Sequence, residues 1–237
     1  MSIKIFVDGA NLEDMLTHYQ HTPDIAGFTT NPSLMKKAGV TDYHAFAQEV
    51  LEKIPDRPIS FEVFADALDQ MEQQANNIAT WGDNIYIKIP VSNTKGISTA
   101  PLVNKLSKAG IKLNITAIFT HQQIDEVIDN LDSKTPAIVS IFAGRIADSG
   151  IDPIPTMRYA VELARKKNLP LCEILWASTR EAFNIKQAEQ CGCHIITVPP
   201  TLITAAHKNF GKSLEQYSLD TVKAFYQDAQ AAGFNIN

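Results

Sequence analysis

Asn84-Ile85-Tyr86-Ile87-Lys88-Ile89-Pro90-Val91 reads as a short buried strand with a charge set into it. The isoleucines and the tyrosine suit a pleated, packed surface, and Pro90 marks its end. Lys88 stands between Ile87 and Ile89, near the C-terminal end of the run. A lysine there snorkels out past the strand end, pairs with an acid, or stays dry. Drying favours the neutral amine, and a neutral amine is a nucleophile that forms a Schiff base with a carbonyl. Choosing among these depends on what the other strands bring to the same level.

Further strand-like runs cover Ile3–Asp8, Ile25–Thr29, Pro58–Phe64, Lys112–Phe119, Ala137–Phe142, Leu171–Trp176 and His194–Val198. Helical patterns separate them. Asn31 suits a cap before Pro32 at the first helical position, and a helix is expected over Tyr43–Ile54. Leu68, Met71, Ala75 and Ile78 share one helical face, which stops at Gly82. Leu102, Val103 and Leu106 form the next stripe, ended by Gly110. Thr120 with Gln123 is a capping box for the helix carrying Ile124, Val127, Ile128 and Leu131. A helix with Val161, Leu163 and Ala164 starts near Pro155. Ser178 with Glu181 reads as a second capping box, opening a helix to Gln190. Two closing helices are expected from about Leu202 and around Ser218–Ala232.

Strict alternation of strand and helix implies a parallel sheet. Eight such units in 237 residues imply an α/β fold of one kind, a single (β/α)8 TIM barrel over residues 1–237. Residues from about 211 to 237 form a C-terminal helical extension to it. No glycine fingerprint of the dinucleotide type follows the first strand, which argues against an open sheet. Asn93-Thr94-Lys95-Gly96 lacks the upstream glycine of a phosphate loop and reads as a turn into a helix.

Composition sets the class. A hydrophobic fraction of 45% and a charged fraction of 20% belong to a globular chain with a full core. The net charge of −5 argues against nucleic acid as an obligatory partner. No apolar run reaches membrane-spanning length, and the N-terminus reads as a strand, so a cytoplasmic protein without a membrane partner is expected. Three cysteines fit a reducing compartment as small buried hydrophobes. Cys191-Gly192-Cys193-His194 lacks metal-ligand spacing and a second ligand pair.

A barrel of this kind carries its chemistry at the C-terminal ends of its strands. Those ends bring Asp8, Thr29 to Asn31, Glu62, Lys88, Asn114 with Thr116, Ser140 with Phe142, and Ser178. Glu62, Lys88, and Asn114 with Thr116 each alternate with apolar neighbours, so on closure of the barrel these side chains converge on its mouth. Buried charges are costly unless paired, and one lysine with two carboxylates is a balanced set. An amine plus acids and bases is also what Schiff-base chemistry needs.

Several motifs together resemble the transaldolase family, especially its short-chain members, which include the fructose-6-phosphate aldolases. They are Val7-Asp8, Gly27-Phe28-Thr29-Thr30-Asn31-Pro32-Ser33, Ile87-Lys88-Ile89-Pro90-Val91, Asn114-Ile115-Thr116, Phe142-Ala143-Gly144-Arg145-Ile146 and Ala177-Ser178-Thr179-Arg180. The resemblance spans the chain and implies a (β/α)8 barrel with its Schiff-base lysine on strand four. It implies Lys88 as that lysine and Asp8 as the acid/base at the substrate's C4 hydroxyl. Glu62 with Thr116 matches the pair that holds a catalytic water. Asn31, Asn114 and Ser140 match ligands of the dihydroxyacetone end, and Arg145, Ser178 and Arg180 match the phosphate group. The implied reaction moves a three-carbon unit from sedoheptulose 7-phosphate or fructose 6-phosphate to an aldose phosphate, in the pentose phosphate pathway. Sugar phosphates are the implied partners, no metal or other cofactor is implied, and a homo-oligomer is.

Phe142 and Glu62 favour the transferase, because tyrosine and glutamine at those positions look aldolase-like within the family. Thr179 stands where phenylalanine is usual, and Trp176 where a small residue is common. Both are expected beside the phosphate site. Local roles compete at several positions. Asn31 and Ser178 each suit a helix cap, Asp8 suits a cap of the first helix, and Arg145 and Arg180 suit surface ion pairs. Phe142 also suits simple core. Asp66 reads as a helix cap only, and His121 and His194 as structural.

Overall fold

Alternation along each strand decides which side chains enter the barrel and which face the helices. The computed structural model describes residues 3–236. Its strands are β1 Lys4–Asp8, β2 Ile25–Thr29, β3 Ile59–Glu62, β4 Ile85–Pro90, β5 Leu113–Ile118, β6 Ala137–Ile141, β7 Cys172–Trp176 and β8 Ile195–Val198. They close into one parallel barrel in chain order, with β8 paired to β1. The third strand is shorter than its apolar run, ending at Glu62.

Helices among the described residues are α1 Leu12–His21, α2 Pro32–Lys37, α3 Tyr43–Lys53, α4 Leu68–Ile78, α5 Ala100–Lys108 and α6 His121–Ile128. They continue as α7 Ala143–Asp148, α8 Ile154–Lys166, α9 Asn184–Gln190, α10 Pro200–Asn209 and α11 Leu214–Ala231. None is long and apolar enough to cross a membrane. Their apolar stripes pack on the outward strand residues Val7, Phe28, Phe61, Ile87, Ile89, Ile115 and Val139 in one continuous core. The capping box of Thr120 and Gln123 is formed, and Asn31 caps α2 by accepting from the Leu34 amide at 3.0 Å.

Three local cap readings fail, each for a visible reason. Asn11, not Asp8, caps α1, accepting from the Asp14 amide. Asp66 does not cap α4. Its carboxylate instead accepts from the amide and hydroxyl of Thr94 at 2.7 and 2.9 Å, pinning the β4–α5 turn to the β3–α4 loop. Those two bonds hold the Asp66 carboxyl below its usual range. Ser178 does not cap α9, because it adopts φ +65° and faces the barrel mouth. The helix begins only at Asn184 and has no side-chain cap; the Asn184 side chain instead holds the preceding loop, accepting from the amides of Arg180 and Glu181 at 2.9 and 3.1 Å. The structure also adds α7, which the sequence pattern does not announce: six residues with Gly144 among them give little helical periodicity.

Inside the barrel a separate apolar group forms from Phe6, Ile138, Leu175 and Ile195, with Ala26 and Tyr86 packed on it. Phe6, Tyr86, Ile138 and Ile195 precede Asp8, Lys88, Ser140 and Thr197 by two on their strands, and Leu175 precedes Ala177, so the group makes an apolar floor beneath the polar mouth. Gly27 makes room for the floor. A Cβ there would lie 2.6 Å from Phe6 Cζ.

Candidate active site

Strand register sets the level of the polar residues. Lys88 pairs in register with Glu62 on one side and with Asn114 on the other. Lys88 is only 6% exposed. Its Nζ donates to the Thr30 carbonyl at 2.8 Å and lies 3.1 Å from Glu62 Oε2. Of the readings open for this lysine, pairing with an acid is the one found. A carboxylate at that distance can take a proton from the ammonium as the amine attacks a carbonyl.

The neighbouring polar chain is fully buried. Asn114 donates from Nδ2 to Ser60 Oγ at 2.9 Å and accepts from Ser140 Oγ at 2.6 Å. Its orientation is therefore fixed from both sides. Thr116 Oγ1 is buried without a hydrogen-bond partner, a hydroxyl left open to a polar guest. A bulge follows it, where Ala117 adopts φ +59° and the β5–β6 register shifts.

Asp8 ends β1 across the barrel. It accepts from Thr29 Oγ1 at 2.9 Å, and Thr29 Oγ1 is in turn hydrogen-bonded to Thr197 Oγ1. Burial raises the Asp8 carboxyl above its usual range, and the Lys88 charge and the Thr29 bond oppose that rise.

At the mouth, the backbone after β6 and the backbone after β7 touch. The Gly144 amide donates to the Ala177 carbonyl at 3.3 Å. A Cβ on Gly144 would fall 1.6 Å from the Ser178 carbonyl oxygen, so only glycine lets the two segments meet. That approach brings Arg145 of α7 beside Ser178 and Arg180. Arg145 lies over the Phe142 ring, 5.0 Å from its centroid, and Phe119 packs 5.6 Å from the same ring. Arg180 is engaged by Asp148. Its Nε lies 3.1 and 3.0 Å from the two carboxylate oxygens, and its Nη2 donates at 2.6 Å. The surface ion pair considered for Arg180 is thus formed, and it holds the Asp148 carboxyl below its usual range. Nη1 is left outside the pair.

These groups line one cavity of about 160 Å³: Asp8, Asn31, Lys88, Asn114, Thr116, Ser140, Phe142, Arg145, Ser178 and Arg180, joined by Thr29, Thr179 and Thr197. Glu62 stands behind Lys88 rather than on the cavity wall. Trp176 is not beside the arginines. It faces outward into the helix-packed core, 1% exposed, while Leu175 and Ala177 point in. Thr179 does line the cavity, and its hydroxyl donates to the Thr197 carbonyl at 2.7 Å. Ser60, Thr197 and Asp148 are the polar residues that sequence reading passed over. His194 is structural, its Nδ1 accepting from the Ile174 amide.

Fold and site define a class: a (β/α)8-barrel enzyme with a lysine, two carboxylates and an amide–hydroxyl network converging on its C-terminal mouth. The family described as Transaldolase/Fructose-6-phosphate aldolase matches residues 5–237. A probable transaldolase from Streptococcus equi subsp. equi is 35% identical over 231 residues, 95% of this chain and 97% of the relative. One from Thermoanaerobacter sp. is 34% identical over 225 residues, covering 94% and 98%. Among solved structures, KGPDC from Streptococcus mutans superposes with a TM-score of 0.57 at 12% identity, over 85% of this chain and 89% of that one, a likeness of fold alone. The chain belongs to the transaldolase/fructose-6-phosphate aldolase family.

Proposed function

We propose that the protein is a transaldolase that moves a dihydroxyacetone unit from a ketose phosphate to an aldose phosphate through an imine on Lys88. The observation that carries this reading is the buried Lys88 Nζ, held between the Glu62 carboxylate and the Thr30 carbonyl in the cavity wall.

Glu62 takes a proton from the ammonium, and the amine adds to the C2 ketone. Loss of water from the carbinolamine leaves an iminium. A water held between Glu62 and the open Thr116 hydroxyl would carry protons in these steps. Asp8 then takes the C4 hydroxyl proton, the C3–C4 bond breaks, and its electron pair moves into the iminium to give an enamine. The aldose leaves. An incoming aldehyde accepts the enamine carbon, Asp8 returns the proton to the new alkoxide, and hydrolysis frees the ketose and Lys88. Asn31, Asn114 and Ser140 hold the three-carbon end. Arg145, Ser178 and Arg180 hold the phosphate, matched to a guanidinium fork. Sedoheptulose 7-phosphate or fructose 6-phosphate is the donor, in the cytoplasm and the pentose phosphate pathway.

Borohydride reduction in the presence of fructose 6-phosphate tests the reading. A reduced three-carbon adduct on Lys88, absent from Lys88→Arg, is expected. Binding of the sugar without any adduct would make the protein a sugar-phosphate binder instead.

We also propose a homo-oligomer that covers α11. No residue of that helix is buried, and Leu214, Tyr217, Leu219, Val222, Phe225 and Tyr226 are all exposed. Around the helix axis they make one broad apolar face. A second copy is the occupant this reading gives it.

A further inference from the structure

We propose that Thr197 is a positioning residue for Asp8, acting through Thr29. In the closed barrel β1 lies between β8 and β2, so hydroxyls from both neighbours reach the level of Asp8. Thr29 Oγ1 donates to Asp8 Oδ1, and Thr29 and Thr197 share a hydrogen bond between their hydroxyls. The number of protons decides its direction. A threonine hydroxyl has one proton to give. Thr29 gives its proton to Asp8, so the bond between the threonines must use the proton of Thr197. The chain therefore runs Thr197 to Thr29 to Asp8, and Thr29 cannot turn away without breaking two bonds.

Both threonines are buried where they meet the cavity, at 3% and 5% exposure, so little solvent competes for the Thr29 hydroxyl. Thr197 is itself held. Its carbonyl accepts from Thr179 Oγ1, and its backbone is in register with Phe6 of β1. The other charged groups lining the cavity are Lys88 on β4, Arg145 on α7 and Arg180 after β7. Glu62 on β3 is engaged with Lys88. None of these hydrogen-bonds to either threonine. The Lys88 charge favours the ionised Asp8 most, and beside it the hydroxyl chain is the side-chain hydrogen bond that favours the same form, the one able to accept a proton.

The proposal rests on Asp8 being the base that takes the C4 hydroxyl proton. That base works ionised, so weakening its donor moves the acid limb of the rate profile to higher pH. The experiment compares kcat/KM against pH for wild type, Thr197→Val and Thr197→Ser, with fructose 6-phosphate and an aldose phosphate acceptor. Thr197→Val keeps the shape of the side chain and loses the proton. Its acid limb should shift upward, costing roughly threefold at a fixed pH on that limb, the size of a half-unit shift. The alkaline plateau should change little, and Thr197→Ser should return the limb to its wild-type position. Thr197→Ala replaces the valine variant if that one does not fold.

An unmoved limb, a loss equal at every pH, or a serine variant that behaves like valine overturns the proposal. Asp8→Asn is measured in parallel. If it still cleaves the ketose phosphate, the reading of Asp8 falls and takes the proposal with it. If it is inactive while the Thr197→Val limb stays in place, only the role of Thr197 falls.

Discussion

In the proposed reaction, Phe142 governs what becomes of an enamine on Lys88. Its ring lines the cavity and packs against Phe119, with Arg145 above it. A phenyl ring offers no proton and excludes water, so the enamine lasts until an aldehyde arrives. Phe142→Tyr puts an acid in its place. With fructose 6-phosphate and erythrose 4-phosphate, this variant should shift product from transferred sugar toward free dihydroxyacetone. If the product ratio stays constant while the thermal midpoint falls, Phe142 is packing alone. Legibility at this scale followed charge. Lys88, Glu62 and Asp8 stood out because a strand interior tolerates few charges. Ser60 and Thr197 did not, since small hydroxyl residues are ordinary in strands and only their partners across the barrel give them a role.

Among the elements, α7 carries the most information per residue. Phe142 precedes it, Arg145 lies within it, and Asp148 ends it against Arg180. Its seat depends on Gly144 lying against the Ser178 carbonyl. Gly144→Ala must push the two segments apart and carry Arg145 away from the anion position. The loss should appear in KM for phosphorylated sugars, about tenfold or more if one charged hydrogen bond of roughly 1.5–3 kcal/mol is lost. Unphosphorylated fructose should be affected far less. An equal loss with both sugars would mean that α7 serves the fold and not the phosphate. Sequence periodicity missed α7 because six residues are too few to show it, while the longer stripes of α4, α5 and α6 were legible. The capping box assigned to Ser178 failed for a related reason. The Ser178–Glu181 spacing suits a box, but α9 starts only at Asn184, and the left-handed backbone at Ser178 belongs to the loop at the mouth.

For the whole molecule, the barrel was legible because strand and helix patterns alternate without a break, and the closed parallel sheet follows from that. The extension was legible as a helix, though not as one left without buried residues. A double change of Val222→Glu and Phe225→Glu on the apolar face of α11 should reduce the assembly in light scattering, without loss of helix content. A wild-type protein that is already monomeric would remove the role given to this face.

The apolar floor of Phe6, Ile138, Leu175 and Ile195 has a consequence for the order of events. Among the described residues it closes the barrel beneath Lys88, so the mouth is the way in. Whatever enters past Arg145 and Arg180 must go back out the same way. In the proposed transfer, the departing aldose and the arriving aldehyde share that mouth, so the first vacates before the second is admitted. Turnover then becomes a strict exchange of occupants, with the three-carbon fragment waiting on the lysine while the doorway changes hands.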